Sequence, residues 1–283
     1  MRALFFIGLL FTQVSHAAFF NSYDWESRNW HQITPMSGNT YVAGTRWMLQ
    51  TRAAGLRKSI MRANLMAGTT LAAALKPIVN TYGDAVDGET GSAGTYSEAN
   101  GVTYTPAGSS MIYTGLNPTS IPLNSASMAI YTGGTPGQNG NVDIGAQTFA
   151  SLKFFSMVTA FTGSGQTANV WTNSGSPLST DTNGTGWYMG SRISTATNGV
   201  SIYRNGVMVG RSTLIGSSQP STAGSASPGL YVLGLNNSGS PILASSRAGR
   251  GYQIGQGFND VQAGASARIW HRFQVTLGRA VAP

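Results

Sequence analysis

Residues 201–211, SIYRNGVMVGR, decide the fold class of this chain. Two short runs with alternating apolar residues flank Asn205-Gly206, the dipeptide best suited to a type I′ turn, because both central positions need φ > 0. Ile202 points to one face of the first strand and Ser201 and Tyr203 to the other, while Val207 and Val209 share a face of the second. The stretch reads as an antiparallel hairpin. Around it lie further short apolar runs near 111–116, 127–132, 153–161, 168–172, 187–192, 230–235 and 252–255, separated by Gly/Ser/Asn/Pro clusters such as GGTPGQNGN, SGSPLSTDTNGTG and SSQPSTAGSASPG. That spacing predicts a mainly β, double-sheet jelly-roll sandwich. A helix is predicted after it. Asn259 is its cap, Val261, Ala265, Ile269, Phe273 and Leu277 recur every fourth residue, and Gly278 is its stop.

The chain has 283 residues, of which 9% are charged, against about a quarter in an average domain. Its 37 glycines and 41% hydrophobic content describe a turn-rich body with a sizeable core, a composition of exported or virion surfaces more than of cytosolic enzymes. The net charge is +8, concentrated toward the two ends. Residues 27–83 hold Arg28, Arg46, Arg52, Arg57, Lys58, Arg62 and Lys76 with no acid, and from Arg204 onward only Asp260 opposes the arginines. No basic run exceeds two residues and no aromatic–basic RNA motif is present, so nucleic acid is an unlikely partner.

Residues 1–17 read as an export signal. Arg2 precedes the apolar stretch ALFFIGLLFTQV, and Ser15-His16-Ala17 offers a small-residue cleavage site. No other segment approaches the ~18 apolar residues of a membrane span, and cysteine is absent. Residues 18–82 read as a helical N-terminal segment, with Leu56, Ile60, Ala63 and Ala67 at helical spacing and Thr70 capping a run over 71–80 that Pro77 interrupts. Residues 83–94 read as a linker and 95–283 as the sandwich with its terminal helix.

Three pieces, in order, carry a resemblance. The first is TRAAGLRKSIMRANLMAGTTLAAALKPIVNTYGDA. The second combines SEANGVTY with YTGLNPTSIPLNSASMAIYT. The third runs from SIYRNGVMVG through LYVLGLNNSGSP to GQGFNDVQAGASARIWHRFQVTLGR. Together they resemble phage and prophage virion-associated proteins with a LamG-like (concanavalin A-like lectin/glucanase) jelly-roll domain, over Thr51 to Arg279. The resemblance implies a non-enzymatic virion or surface structural protein, tail-fibre-like or decoration-like, with other virion or surface proteins, host-surface glycans or a host receptor, and further copies of itself as partners. The export signal departs from that pattern, because tail proteins assemble in the cytoplasm. A secreted bacterial carbohydrate-binding module is the alternative, and a cryptic glycan hydrolase the third.

The catalytic reading is the weakest on the residues themselves. Laminarinase-type relatives of the fold carry E-x-D-x-x-E on one strand, and no such pattern occurs. There is no G-x-S-x-G elbow, and past residue 17 only His31 and His271 remain as histidines. No catalytic residue and no organic cofactor is expected. Ca²⁺ at a loop rim, as lectin-like jelly rolls hold it, would use Asp143 and Asp181, although each also suits an Asx-turn. Ligand contacts are expected from Asp143, Trp171, Asp181, Trp187 and Tyr203. Loops 133–141, 173–186 and 217–229 form the expected rim, and Tyr203, opposite Ile202, is the ring expected to be most exposed. If the leader is removed, mass spectrometry of exported protein finds an N-terminus near Ala18; an intact Met1 would mean that the apolar stretch is retained.

Overall fold

The computed structural model describes residues 24–104, 110–122, 124–134, 142–148, 153–159, 169–172, 179, 181–194, 199–212 and 229–281. In chain order, helices α1 (Trp25–Ile33) and α2 (Gly38–Ala53) precede β1 (Ile60–Asn64), the single turn α3 (Leu71–Ala74), β2 (Val79–Asn80), β3 (Gly88–Thr90), β4 (Thr95–Ser97), β5 (Gly101–Thr103) and β6 (Met111–Tyr113). Then follow β7 (Ala126–Gly133), β8 (Ile144–Thr148), β9 (Lys153–Val158), β10 (Asn169–Thr172), β11 (Gly186–Arg192), β12 (Val200–Arg204) and β13 (Val207–Arg211). The chain closes with β14 (Tyr231–Val232), β15 (Leu235–Asn237), β16 (Ser240–Ile242), β17 (Ala248–Gly255) and α4 (Asp260–Thr276).

Among the described residues the strands form two sheets. The larger runs β13-β12-β11-β7-β17-β1-β2, with β5 also on β17 and β4 on β5. The smaller runs β10-β9-β8-β14-β6-β3, with β15 lying parallel to β8. The expected mainly β sandwich with a C-terminal helix is therefore present, and all nine runs read as strands fall on strands. Alternation places each side chain. On β7, Met128 and Ile130 enter the core between the sheets, where Ile112, Ile144, Phe155 and Met157 of the smaller sheet meet them. Ala129 and Tyr131 point the other way, as do Trp187, Met189 and Tyr203 from β11 and β12. That outer face is not solvated. Helices α1, α2 and α4 cover it with Trp30, Trp47, Met48, Trp270 and Phe273, making three layers: helix, sheet, sheet.

Two sequence expectations change here. Residues 56–67 do not form an α-helix; after α2 the chain makes one 3₁₀ turn, Arg57–Ser59, and Ile60–Asn64 enters the larger sheet between β17 and β2. Every residue of β1 is buried, so its apolar spacing carries no strand-like alternation. The sheets thus take strands from residues 60–64, 79–80 and 88–90, within the stretches read as helical segment and linker. In α4 the cap is as expected: Asn259 accepts from the Gln262 N–H and Gln262 answers from its side chain. Of the expected series Ile269 and Phe273 are buried, together with Ala263, Ser266, Ala267, Trp270 and Gln274, while Ala265 and Leu277 are half-buried and Val261 is 78% exposed. A strict fourth-residue series drifts about 40° per step on a helix with 3.6 residues per turn, so it cannot stay on one face for four steps.

Two buried arginines tie the layers. Arg62, in β1, donates through Nη2 to Asp87 Oδ1 at 2.7 Å and through Nη1 to the Tyr82 carbonyl at 3.0 Å. Asp87 also accepts from Asn64 Nδ2 at 2.6 Å and from the Tyr252 hydroxyl at 2.7 Å. Burial pushes the Asp87 carboxyl up, against the pull of the Arg62 charge and these donors. At the chain's end Arg279 donates to the carbonyls of Leu65, Met66, Glu98 and Arg250 and to Gln274 Oε1. Desolvation by burial moves its pKa down to about 10.

The hairpin that opens the reading is a type I′ turn by its positive φ values, 49° at Asn205 and 85° at Gly206. The turn also sits against α4: a Cβ on Gly206 would come within 2.9 Å of Gly264 Cα and 3.1 Å of Ala267 Cβ. Gly206→Val combines a β-branched residue at positive φ with that clash, and is expected to cost about 1–3 kcal/mol in a denaturant titration. An unchanged midpoint would show that turn and helix do not meet as described.

Candidate functional site

The residues singled out from the sequence do not converge on a rim. Trp187 is 1% exposed and its ring stacks on Trp270, centroids 4.7 Å apart and planes 21° apart. Tyr203 is 2% exposed, against the expectation that it is the exposed ring, because α4 covers its face of β12. Its hydroxyl donates to Asp260 Oδ1 at 2.7 Å, and burial followed by that hydrogen bond raises its pKa to about 12.

Asp143 is fully buried. Its Oδ2 accepts from the Thr159 N–H at 2.7 Å and its Oδ1 from the Ser245 hydroxyl at 2.7 Å, so it ties three segments together rather than shaping a local turn. Asp181 does shape an Asx-turn, accepting from the Asn183 N–H at 3.1 Å, and it also takes the Tyr188 hydroxyl and lies 3.5 Å from Arg204 Nε. The oxygens that Ca²⁺ would need are thus met by protein donors, and the described residues hold no group of three or more His, Cys, Asp or Glu able to hold a metal. Trp171 lies on β10, at an edge of the smaller sheet, with its side chain outside the described residues. Most of the three expected rim loops also lies outside them.

A different place on the surface has the features of a site. Asp24 caps α1 by accepting from the Ser27 N–H at 2.9 Å, and its other oxygen takes Arg52 Nε at 2.6 Å. Glu26, in the first turn, accepts from Arg52 and, across both oxygens, from Arg57 Nε at 3.0 and 2.8 Å. The two carboxylates are 5% and 6% exposed. They lock the start of α1 to the end of α2 and to the turn that follows, with charge-assisted bonds that are stronger than neutral ones. Between them stands Trp25, 62% exposed, whereas Trp30, Trp47, Trp187 and Trp270 are each at most 2% exposed. Trp25, Glu26, Arg52, Gly55, Arg57 and Lys58 line a hollow of about 510 Å³.

An indole face open to solvent beside cationic donors, on backbone held by a buried ion cluster, can stack a flat apolar face of a ligand and bind its polar edge. Sequence reasoning missed this place because it weighed aromatics only on strands. A signal was there: Asp24-x-x-Ser27 marks a helix start, and Trp25 and Trp30, five residues apart, point about 140° apart on a helix. Only one of the two can enter a core.

If Trp187 is a core residue, Trp187→Ala destabilises the protein by about 3–5 kcal/mol in equilibrium unfolding. A stability change below ~1 kcal/mol would return it to the surface.

No family model matches the chain, and no curated protein matches it. Among solved structures the fold is similar to domain 4 of AbnA, a GH43 extracellular arabinanase from Geobacillus stearothermophilus, determined in complex with arabinotriose. The identity is 15%, the TM-score 0.47, and the match covers 74% of this chain and 98% of that one. A likeness at this level carries no argument about what the chain binds.

Proposed function

We propose that this chain is a non-enzymatic structural protein of an exported or virion surface, and that it binds glycans through the hollow beside Trp25. The observation that carries the reading is the ring itself. An exposed indole on a backbone fixed by Asp24, Glu26, Arg52 and Arg57 is a pre-ordered stacking platform, and ordering it costs a ligand little. Sugar rings present apolar C–H faces that lie on such a ring, while hydroxyls or a uronic carboxylate meet Arg52 and Lys58. The non-enzymatic part is supported by how the acids are used. Of the nine acids, Asp24, Glu26, Asp87 and Asp143 are buried in internal ties, and Asp181 and Asp260 pair with Arg204 and Arg211.

Trp25→Ala removes the platform without touching the core, so its melting temperature stays near wild type while signal on an array of bacterial surface glycans falls roughly tenfold or more. Equal array binding by wild type and variant would overturn the assignment of the site.

A further inference from the structure

A recess of about 210 Å³ lies on α4 beside the hairpin turn, lined by Asn205, Ala267, Arg268, His271 and Arg272. Its lining is mostly hydrogen-bond donors. Arg268 and Arg272 stand one helical turn apart, a spacing that sets Cβ atoms about 5–6 Å from each other, and both are exposed. His271 lies half-buried beside them. From the turn, Asn205 Oδ1 already accepts the Trp187 N–H at 2.9 Å, so the donors on Nδ2 are what its amide has left to offer. No acidic side chain lines the recess, and among the described residues no carboxylate pairs with Arg268 or Arg272. The single acid of α4, Asp260, lies in its first turn and is engaged by Tyr203 and Arg211. Like charges four residues apart oppose helix formation, and α4 keeps both arginines with no acid one turn from either.

We infer that this recess binds a phosphoryl group, carried as a terminal phosphate monoester or as the free ion. The sign of the charge selects an anion, and the donor set selects which one. A single planar guanidinium fork satisfies both oxygens of a carboxylate. Two forks, an imidazole and an amide suit a tetrahedral dianion, whose oxygens point in several directions. A terminal phosphoryl group offers three such oxygens, whereas the diester of a nucleic-acid backbone or a phospholipid offers two. Size agrees, because the volume falls below the ~300–1,000 Å³ of sites that enclose a whole small molecule. The phosphoryl group enters, and the rest of its carrier stays in solvent. The contacts come from exposed guanidinium groups, so the buried floor at Ala267 need not open. The recess shares no residue with the hollow at Trp25, so the inference stands independently of glycan binding there.

The test is isothermal titration calorimetry of the full chain with glucose 1-phosphate, inorganic phosphate, glucuronate and glucose at constant ionic strength. Both phosphates are expected to bind, roughly tenfold or more tightly than glucuronate, and glucose is expected to give no heat at this site. Tighter binding of the ester identifies a sugar phosphate as the source, and equal binding identifies the free ion. Arg268→Gln/Arg272→Gln is expected to lose roughly tenfold or more in phosphate affinity. Both residues are exposed, so the double variant keeps its melting temperature. Trp25→Ala is expected to bind phosphate as wild type does. No heat with either phosphate, glucuronate binding as tightly as the ester, or equal binding by the double variant would overturn the inference. So would loss of phosphate binding in Trp25→Ala, which would place the anion in the other hollow. Heat with an oligodeoxynucleotide but with neither phosphate would assign the arginines to a diester backbone and overturn it as well.

Discussion

The architecture depends on Trp270. Its ring stacks on Trp187 from the larger sheet, meets Trp47 of α2 edge-on at 5.3 Å and Phe273 at 6.3 Å, and its indole N–H donates to Gln253 of β17 at 3.0 Å. One side chain therefore joins both long helices to the outer face of the sheet. Aromatic pairs of this kind contribute about 0.5–1.5 kcal/mol each beyond the area they bury. The backbone concedes space for it: Gly251 has φ 141°, and a Cβ there would sit 2.4 Å from the Trp270 ring. With that face sealed, the central strands of the larger sheet are buried on both faces.

The two sheets are held in a different way. Burial of Ile, Val and Met side chains supplies the attraction, but it is indifferent to register. The Arg62–Asp87 pair is not. Arg62 belongs to the larger sheet, and Asp87 immediately precedes β3 of the smaller one, and both are at most 2% exposed. A buried ion pair contributes little net stability against an apolar replacement, while loss of one partner strands a charge at a cost of about 3–5 kcal/mol. Its effect is to penalise every packing of the sheets that separates those two residues.

The difference explains what was legible in the sequence. Strands β7 and β11 show, although they too are buried at every residue, because they are runs of seven or eight residues bounded by turn clusters, and the hairpin shows because Asn205-Gly206 is a local instruction. Strand β1 does not show. Its Arg62 is accommodated by a carboxylate 25 positions later, and a continuous buried run has no period to detect. The same blindness affects the site. Trp187 is expected as a ligand contact and Tyr203, opposite Ile202, as the exposed ring, and only the tertiary position of α4 buries both. Asp143, read as a turn residue, is a tie between Thr159 and Ser245, a fact that resides wholly in long-range contacts. Helix starts, in contrast, are local, and so Asn259 was found from its own neighbours and Asp24 lay within reach of the same rule.

Burial also decides where the charge goes. The described core takes in Arg62, Arg192, Arg247 and Arg279 along with Asp24, Glu26, Asp87 and Asp143, four of each sign. The interior is thus balanced in formal charge, and the +8 of the sequence is left to the rest of the chain. Arg279 shows how a guanidinium is buried with few acids: its donors are met by four backbone carbonyls and one amide oxygen rather than by a hydrogen-bonded carboxylate. Because the core neither absorbs nor cancels the surplus, exposed arginines such as Arg46, Arg268 and Arg272 gather on the helical layer. That layer seals the sheet, so the packing that buries one face of the sheet also supplies a charged outer surface.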